Sequence, residues 1–136
     1  MIRSAVREDI PQLVSLFINH QKAMGCLWSL DPVRLSMTFS QAIALPDNWL
    51  CLTGGGCLFL ASCFESPLGA GKIATELCFC VSSGQLQFVL DQYENWARSK
   101  GCISVSLSCM QRFPAFQRLY GRYGYSLAEM TTAKAL

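Results

Sequence analysis

The chain has 136 residues, of which 51% are hydrophobic and only 15% charged, with a formal net charge of +2. Such a composition excludes disorder, because the chain can bury enough apolar surface to offset its ordering entropy, and the length suits one domain spanning residues 1–136. No stretch approaches the roughly 18 uninterrupted apolar residues of a membrane span, and Arg3, Arg7, Glu8 and Asp9 interrupt the N-terminus where a signal peptide would be apolar. These features predict a cytoplasmic protein, and the absence of a Lys and Arg cluster predicts no nucleic-acid or anionic-membrane partner.

Ile2 to Val6 reads as a short strand. Asp9 stands at an N-cap position with Pro11 in the first turn, and Ile10, Leu13, Val14, Phe17 and Met24 then recur at helical spacing until Gly25. Asp31 and Pro32 repeat the cap-and-proline signal and open a second helix over Val33 to Leu45, stopped by Pro46, Asp47 and Asn48. Trp49 to Thr53, Cys57 to Phe64 and Lys72 to Val81 are rich in β-branched, aromatic and cysteine residues and are separated by glycine turns, which predicts an antiparallel meander. From Gln85 the period lengthens: Leu86, Val89, Leu90, Tyr93, Trp96 and Ala97 form the broad apolar face of a helix that Gly101 ends. Cys102 to Cys109 alternates as a strand, Pro114 opens a helix with Phe116, Leu119, Tyr120 and Tyr123 facing inward, and Tyr125 to about Lys134 reads as a last strand. The order predicts an α/β sandwich: a mixed, mainly antiparallel sheet with helices on both faces.

The eight cysteines lie mostly in strand segments, contain no CxxC pair, and read as small buried hydrophobes. Cys78 and Cys80, two apart, share a strand face; neither has a histidine placed to activate it, since the single histidine is His20. Metal binding is not predicted, because structural sites use closely paired ligands. Gly69-Ala70-Gly71-Lys72 is no phosphate loop: Ile73 stands where Ser or Thr is needed, and a strand follows instead of a helix.

The element order, together with Ile2-Arg3 and Arg7-Glu8-Asp9-Ile10-Pro11 at the start, Glu94 to Gly101 at the end of the long helix, and Leu119-Tyr120 followed by Gly124-Tyr125, resembles the GNAT superfamily of N-acetyltransferases. The resemblance covers nearly the whole chain and implies acetyl-CoA as the acyl donor and an amine as the acceptor. It implies Tyr120 as general acid for the departing thiolate, a phenol with its ordinary pKa near 10 being matched to a thiol. It also implies Glu76, on the fourth strand beside Ala74, Cys78 and Cys80, as general base. Packing of the helix on the sheet for Tyr120, and an exposed strand-end charge for Glu76, are the structural alternatives.

The resemblance further places acetyl-CoA against Phe79, Val81, Ser83, Gly84, Gln85 and Leu86. The family's pyrophosphate loop carries Arg or Gln, two residues, Gly, one residue, then Gly or Ala; here Val81 stands at the first position, Gly84 is the surviving glycine, and Leu86 stands at the last. Ser83 and the backbone N–H groups of Gly84, Gln85 and Leu86 can hold a phosphate at the helix start. Ser82, Ser83 and Gly84 equally read as a tight turn and cap. The position of the family's pantetheine-contacting Asn is Phe113. Two functions follow: N-acetyl transfer, or a catalytically degenerate GNAT fold acting as a structural or interaction subunit, similar to small GNAT-like bacteriophage virion proteins. The second predicts a protein partner or second copy on a sheet edge or on the aromatic last helix, through Phe113, Phe116, Tyr120 and Tyr123.

Overall fold

The computed structural model describes residues 1–26, 29–82, 84–108, 113–129 and 131–136, with the side chain of Phe113 also left aside. Strand β1 (Ile2–Ser4) leads through a 3-10 turn at Arg7–Asp9 into helix α1 (Ile10–Met24). Asp9 does not cap α1 as its position suggests. Its carboxylate instead reaches back, taking two 2.7 Å hydrogen bonds from the Arg3 guanidinium and one of 2.8 Å from the Val6 N–H. Gly25 ends α1 at φ 73°, a left-handed conformation that glycine adopts without a Cβ penalty. Helix α2 (Pro32–Ala44) begins as the sequence predicts, with the Asp31 carboxylate accepting from the Val33 N–H at 2.9 Å.

Strands β2 (Asn48–Thr53), β3 (Leu58–Glu65) and β4 (Lys72–Cys80) form the expected antiparallel meander, and β1 adds antiparallel to β2. Helix α3 (Leu86–Ser99) then crosses over and returns the chain as β5 (Cys102–Ser106), parallel to β4. A parallel neighbour needs such a crossover, whereas the antiparallel pairs close through short turns. Helix α4 (Phe113–Gly121) follows. The five strands described lie in the order β1-β2-β3-β4-β5, giving the mixed, mainly antiparallel sheet that the sequence predicts.

Period-two alternation divides the sheet between two cores. Leu50, Leu52, Leu58 and Leu60 meet Leu13, Val14, Phe39 and Ala42 of α1 and α2. Cys51, Phe59, Ala61, Cys63 and Ala74 meet Leu86, Val89, Leu90, Tyr93 and Ala97 of α3 on the opposite face. The buried strand cysteines thus fill space between larger neighbours, and burial pushes the Cys51 and Cys80 thiols up to about 12. Phe116, Leu119 and Tyr120 of α4, with Tyr123 just beyond it, pack onto the α3-side core.

Three expectations need correction. The β3–β4 register slips between Leu60 and Ala61: Leu60 pairs with Cys78 but Ala61 with Glu76, leaving Leu77 as an extra residue. This bulge flips the alternation. Glu76 shares the α3 face with Ala74, as expected, while Cys78 and Cys80 face α1 and α2. Strand β5 is shorter than Cys102 to Cys109, because the backbone beyond Ser106 bonds to side chains instead of a neighbouring strand; Cys109 lies outside the described residues. The last strand does not form among the described residues from Tyr125 onward. Ala128, Glu129, Ala133 and Lys134 are poor strand formers, and residues 126–129 lie exposed. No helix of the described residues is long and apolar enough to cross a membrane.

Phe59 is fully buried against Trp49, Phe79 and Tyr93, with ring centroids 5.5, 5.6 and 4.8 Å away. Phe59→Ala is therefore expected to cost about 3–5 kcal/mol in denaturant unfolding, the range for emptying a buried aromatic site. The Arg3 hydrogen bonds, helped by the Val6 N–H, hold the Asp9 carboxyl down at about 2, against an ordinary 3.8. A depressed carboxyl stabilises the fold above its unfolded pKa and loses that contribution as pH falls through the folded value. Asp9→Asn should lower the melting temperature at pH 7, with the difference closing between pH about 4 and about 2.

Candidate active site

Strands β4 and β5 stay paired only as far as Thr75 and Ser106, after which β4 continues to Cys80 and β5 leaves the sheet. A cavity of about 450 Å³ opens where they part, with Glu76, Val105, Ser108, Tyr120 and Tyr125 in its wall. The departing segment is held from three sides. The Tyr93 hydroxyl of α3 donates to the Ser106 carbonyl and the Tyr120 hydroxyl of α4 donates to the Ser108 carbonyl, each at 3.1 Å. The Ser108 N–H and Oγ donate to Glu76 Oε2 at 3.0 and 2.6 Å. Glu76 and Tyr120, both implied by the family resemblance, thus meet on one residue, Ser108.

Glu76 is 7% exposed. Burial pushes its carboxyl up, outweighing the two Ser108 hydrogen bonds that pull it down, so it holds a proton more readily than an ordinary glutamate. Both Ser108 bonds fall on Oε2, and Oε1 accepts none from the described residues. No described side-chain N or O atom is both sealed from solvent and unpartnered, and Glu76 lines the cavity wall. A carboxylate with one oxygen anchored and the other free can take a proton from a ligand without losing its position.

The residues expected along the cofactor lie at the end of β4, in the turn after it and at the start of α3. Phe79 packs on Phe59 with centroids 5.6 Å apart, Val81 joins the same core, and Leu86 is 3% exposed, so all three side chains serve packing. Gln85 Oε1 accepts from the Thr53 hydroxyl at 2.9 Å, and a Cβ on Gly55 would lie 2.8 Å from Gln85 Nε2, so this amide is fastened to the β2–β3 turn. The Gln85 N–H, expected to be free for phosphate, donates to the Ser82 carbonyl at 3.0 Å, and the Ser82 N–H donates to Cys57 Sγ at 3.4 Å. Gly84 faces open space, and Ser83 lies outside the described residues. The glutamine tie has no local sequence signal, its partner Thr53 being 32 residues away.

Ser108 and Tyr93 are the site residues that sequence reasoning missed. Ser108 continues the polar phase of the Ser104, Ser106 alternation, and nothing local marks it as a bridge. Tyr93 did carry a signal: a phenol inside an otherwise apolar helix face needs a partner for its hydroxyl. Tyr125, whose hydroxyl donates to Glu94 Oε1 at 3.1 Å, pins the segment after α4 over the cavity.

This arrangement, a five-stranded mixed sheet parting between its parallel strands, is an α/β fold of GNAT type. The chain superposes on a glucosamine-6-phosphate N-acetyltransferase from Arabidopsis thaliana with a TM-score of 0.73 and 17% identity, over 99% of this chain and 97% of that one. A predicted acetyltransferase from Clostridium acetobutylicum, solved with acetyl-CoA, gives a TM-score of 0.77 and 16% identity over 99% and 95% of the two chains. A transcriptional regulator from Bacillus halodurans C-125 gives 0.77 and 17% over 100% and 99%. No family model and no curated protein matches the sequence. At these identities the likeness shows the fold alone.

A carboxyl raised by folding leaves the protein most stable where it is protonated, and stability declines as pH rises from its unfolded value through its folded one. Glu76→Gln keeps the acceptor for Ser108 but removes the charge, and should raise the melting temperature at pH 7. That gain should vanish below the ordinary value of 4.5; an advantage independent of pH would contradict the burial effect.

Proposed function

We propose that the chain is an acyltransferase that moves an acetyl group from acetyl-CoA to an amine by direct attack. The observation that carries this reading is the convergence of Glu76 and Tyr120 on Ser108 at the cavity between β4 and β5. Acetyl-CoA, as substrate, would supply the activated thioester carbonyl; a C. acetobutylicum neighbour of the same fold was solved with it. Glu76 Oε1 would accept the ammonium proton, so that the amine lone pair can form the C–N bond. As the C–S bond breaks, the Tyr120 hydroxyl would leave the Ser108 carbonyl and give its proton to the thiolate, and the proton shed by the acylated nitrogen would restore the phenol. The cavity of about 450 Å³ would take the acyl end of such a donor. At the other end, Gly84 and the first N–H groups of α3, which lack intrahelical acceptors, would meet the pyrophosphate.

One observation favours a second reading, a GNAT fold without transferase activity serving as a binding subunit. In the loop where the family uses a cation or amide on phosphate, Val81 is packed in the core and Gln85 is bound to Thr53. Calorimetric titration with acetyl-CoA separates the two. The transferase reading expects a stoichiometric site of micromolar affinity, and no binding at millimolar ligand would sink it. Given binding, Tyr120→Phe should lower kcat at least tenfold with the acetyl-CoA affinity within twofold of wild type; an unchanged rate would remove Tyr120 from proton transfer.

A further inference from the structure

We infer that Glu94, on α3 and outside the cavity wall, is a positioning residue: through the Tyr125 hydroxyl it fixes where the Tyr120 hydroxyl stands at Ser108. The inference rests on the transferase reading only where Tyr120 is a proton donor; the linkage itself is built from contacts within the chain.

Helix α4 runs out through a Schellman turn. The Tyr125 N–H donates to the Tyr120 carbonyl at 3.2 Å, the Gly124 N–H donates to the Gly121 carbonyl at 3.1 Å, and Gly124 takes the left-handed conformation at φ 85°. Such a turn brings the residues at its two ends into side-chain contact, and here both are tyrosines, with ring centroids 6.4 Å apart. Tyr125 is therefore joined to Tyr120 by backbone and by ring, and a shift of one carries the other. Its hydroxyl reaches across to α3 and donates to Glu94 Oε1 at 3.1 Å. The other oxygen, Oε2, accepts from Arg98 one turn further along α3, also at 3.1 Å, so the carboxylate is oriented from both sides. The Arg98 side chain is 68% exposed, and a pair so placed adds little stability; its effect is to hold Glu94 in the rotamer that meets Tyr125.

The helix that carries Glu94 is fastened to the sheet through Val89, Leu90, Tyr93 and Ala97, all buried. Two consecutive residues of α3 thus hold two points of the segment after β5: Tyr93 holds Ser106 directly, and Glu94 holds Ser108 by way of Tyr125 and Tyr120. Misplacing a reacting group by about 1 Å costs on the order of 100-fold in rate, so this linkage sets turnover from outside the cavity.

NMR of protein labelled with carbon-13 at the tyrosine Cζ atoms, recorded without acetyl-CoA, tests this, because that shift follows the hydrogen bond at the phenol oxygen. Glu94→Ala and Tyr125→Phe should each move the Tyr120 signal and leave that of Tyr93 in place. Glu94→Gln, whose amide oxygen still accepts from a phenol, should leave both in place. Combining Glu94→Ala with Tyr125→Phe should move the Tyr120 signal no further than either change alone. A Tyr120 signal unmoved by Glu94→Ala, even with a lowered melting temperature, would overturn the inference, as would one moved equally by Glu94→Gln. With an amine present, thiol release from acetyl-CoA should fall at least fivefold in Glu94→Ala, with acetyl-CoA affinity within twofold of wild type, and should return in Glu94→Gln. The two readings fail separately: a moved Tyr120 signal without acetyl-CoA binding removes the transferase and leaves the linkage, whereas acetyl-CoA turnover with an unmoved signal does the reverse.

Discussion

A carboxylate withdrawn from water must be given donors or give up its charge, and the bond between Glu76 and Ser108 answers that requirement at the point where the sheet divides. The other features of the site are arranged around it. Because Ser108 spends its N–H and hydroxyl on Glu76, the segment after β5 cannot remain in register with β4, and the strands part. Because that segment has left the ladder, its carbonyls need other donors, and Tyr93 and Tyr120 supply them from two different helices. The bulge at Leu77 follows directly, so that Glu76 keeps the α3 face of Ala74 while Cys78 and Cys80 turn toward α1 and α2.

The middle of β4 and the loop that follows it have been put to different uses. At Glu76 polar groups are concentrated and one carboxylate oxygen is left uncommitted. Five residues on, at Val81, and again at Gln85, the chain joins its loop to the core and to the β2–β3 turn through apolar packing and the Thr53 hydrogen bond. A common fold therefore accommodates a polar cleft and a self-satisfied loop side by side. Which of these dominates decides between catalysis and binding, and fold similarity does not weigh on it.

Most of the architecture was legible because it is written in local patterns. The 3.6-residue stripe from Leu86 to Ala97, the Asp31 cap and the aromatic- and cysteine-rich run from Cys57 to Phe64 each predict the element that forms. What stayed illegible depends on pairings far apart in the chain. A bulge is invisible to period-two counting, so Cys78 and Cys80 were placed beside Glu76 when they face the other way. Asp9 looks like a cap by position, yet Arg3 and Val6 compete successfully for its oxygens. Tyr125 begins a segment that alternates weakly as a strand, and its hydroxyl is taken by Glu94. The candidate site was half legible: Glu76 and Tyr120 came from family resemblance, whereas Ser108, which joins them, has no signature of its own.

The strand order has a further consequence for how the molecule comes into being. Each strand is laid beside the one made before it, β1-β2-β3-β4-β5, so the sheet can be zipped progressively as the chain leaves the ribosome. The Ser108 junction is different. It needs Glu76 from β4, a hydroxyl from α3 and another from α4, and it closes only when that last helix has emerged. The cleft thus draws on parts of the chain that follow the meander, Tyr120 of α4 among them.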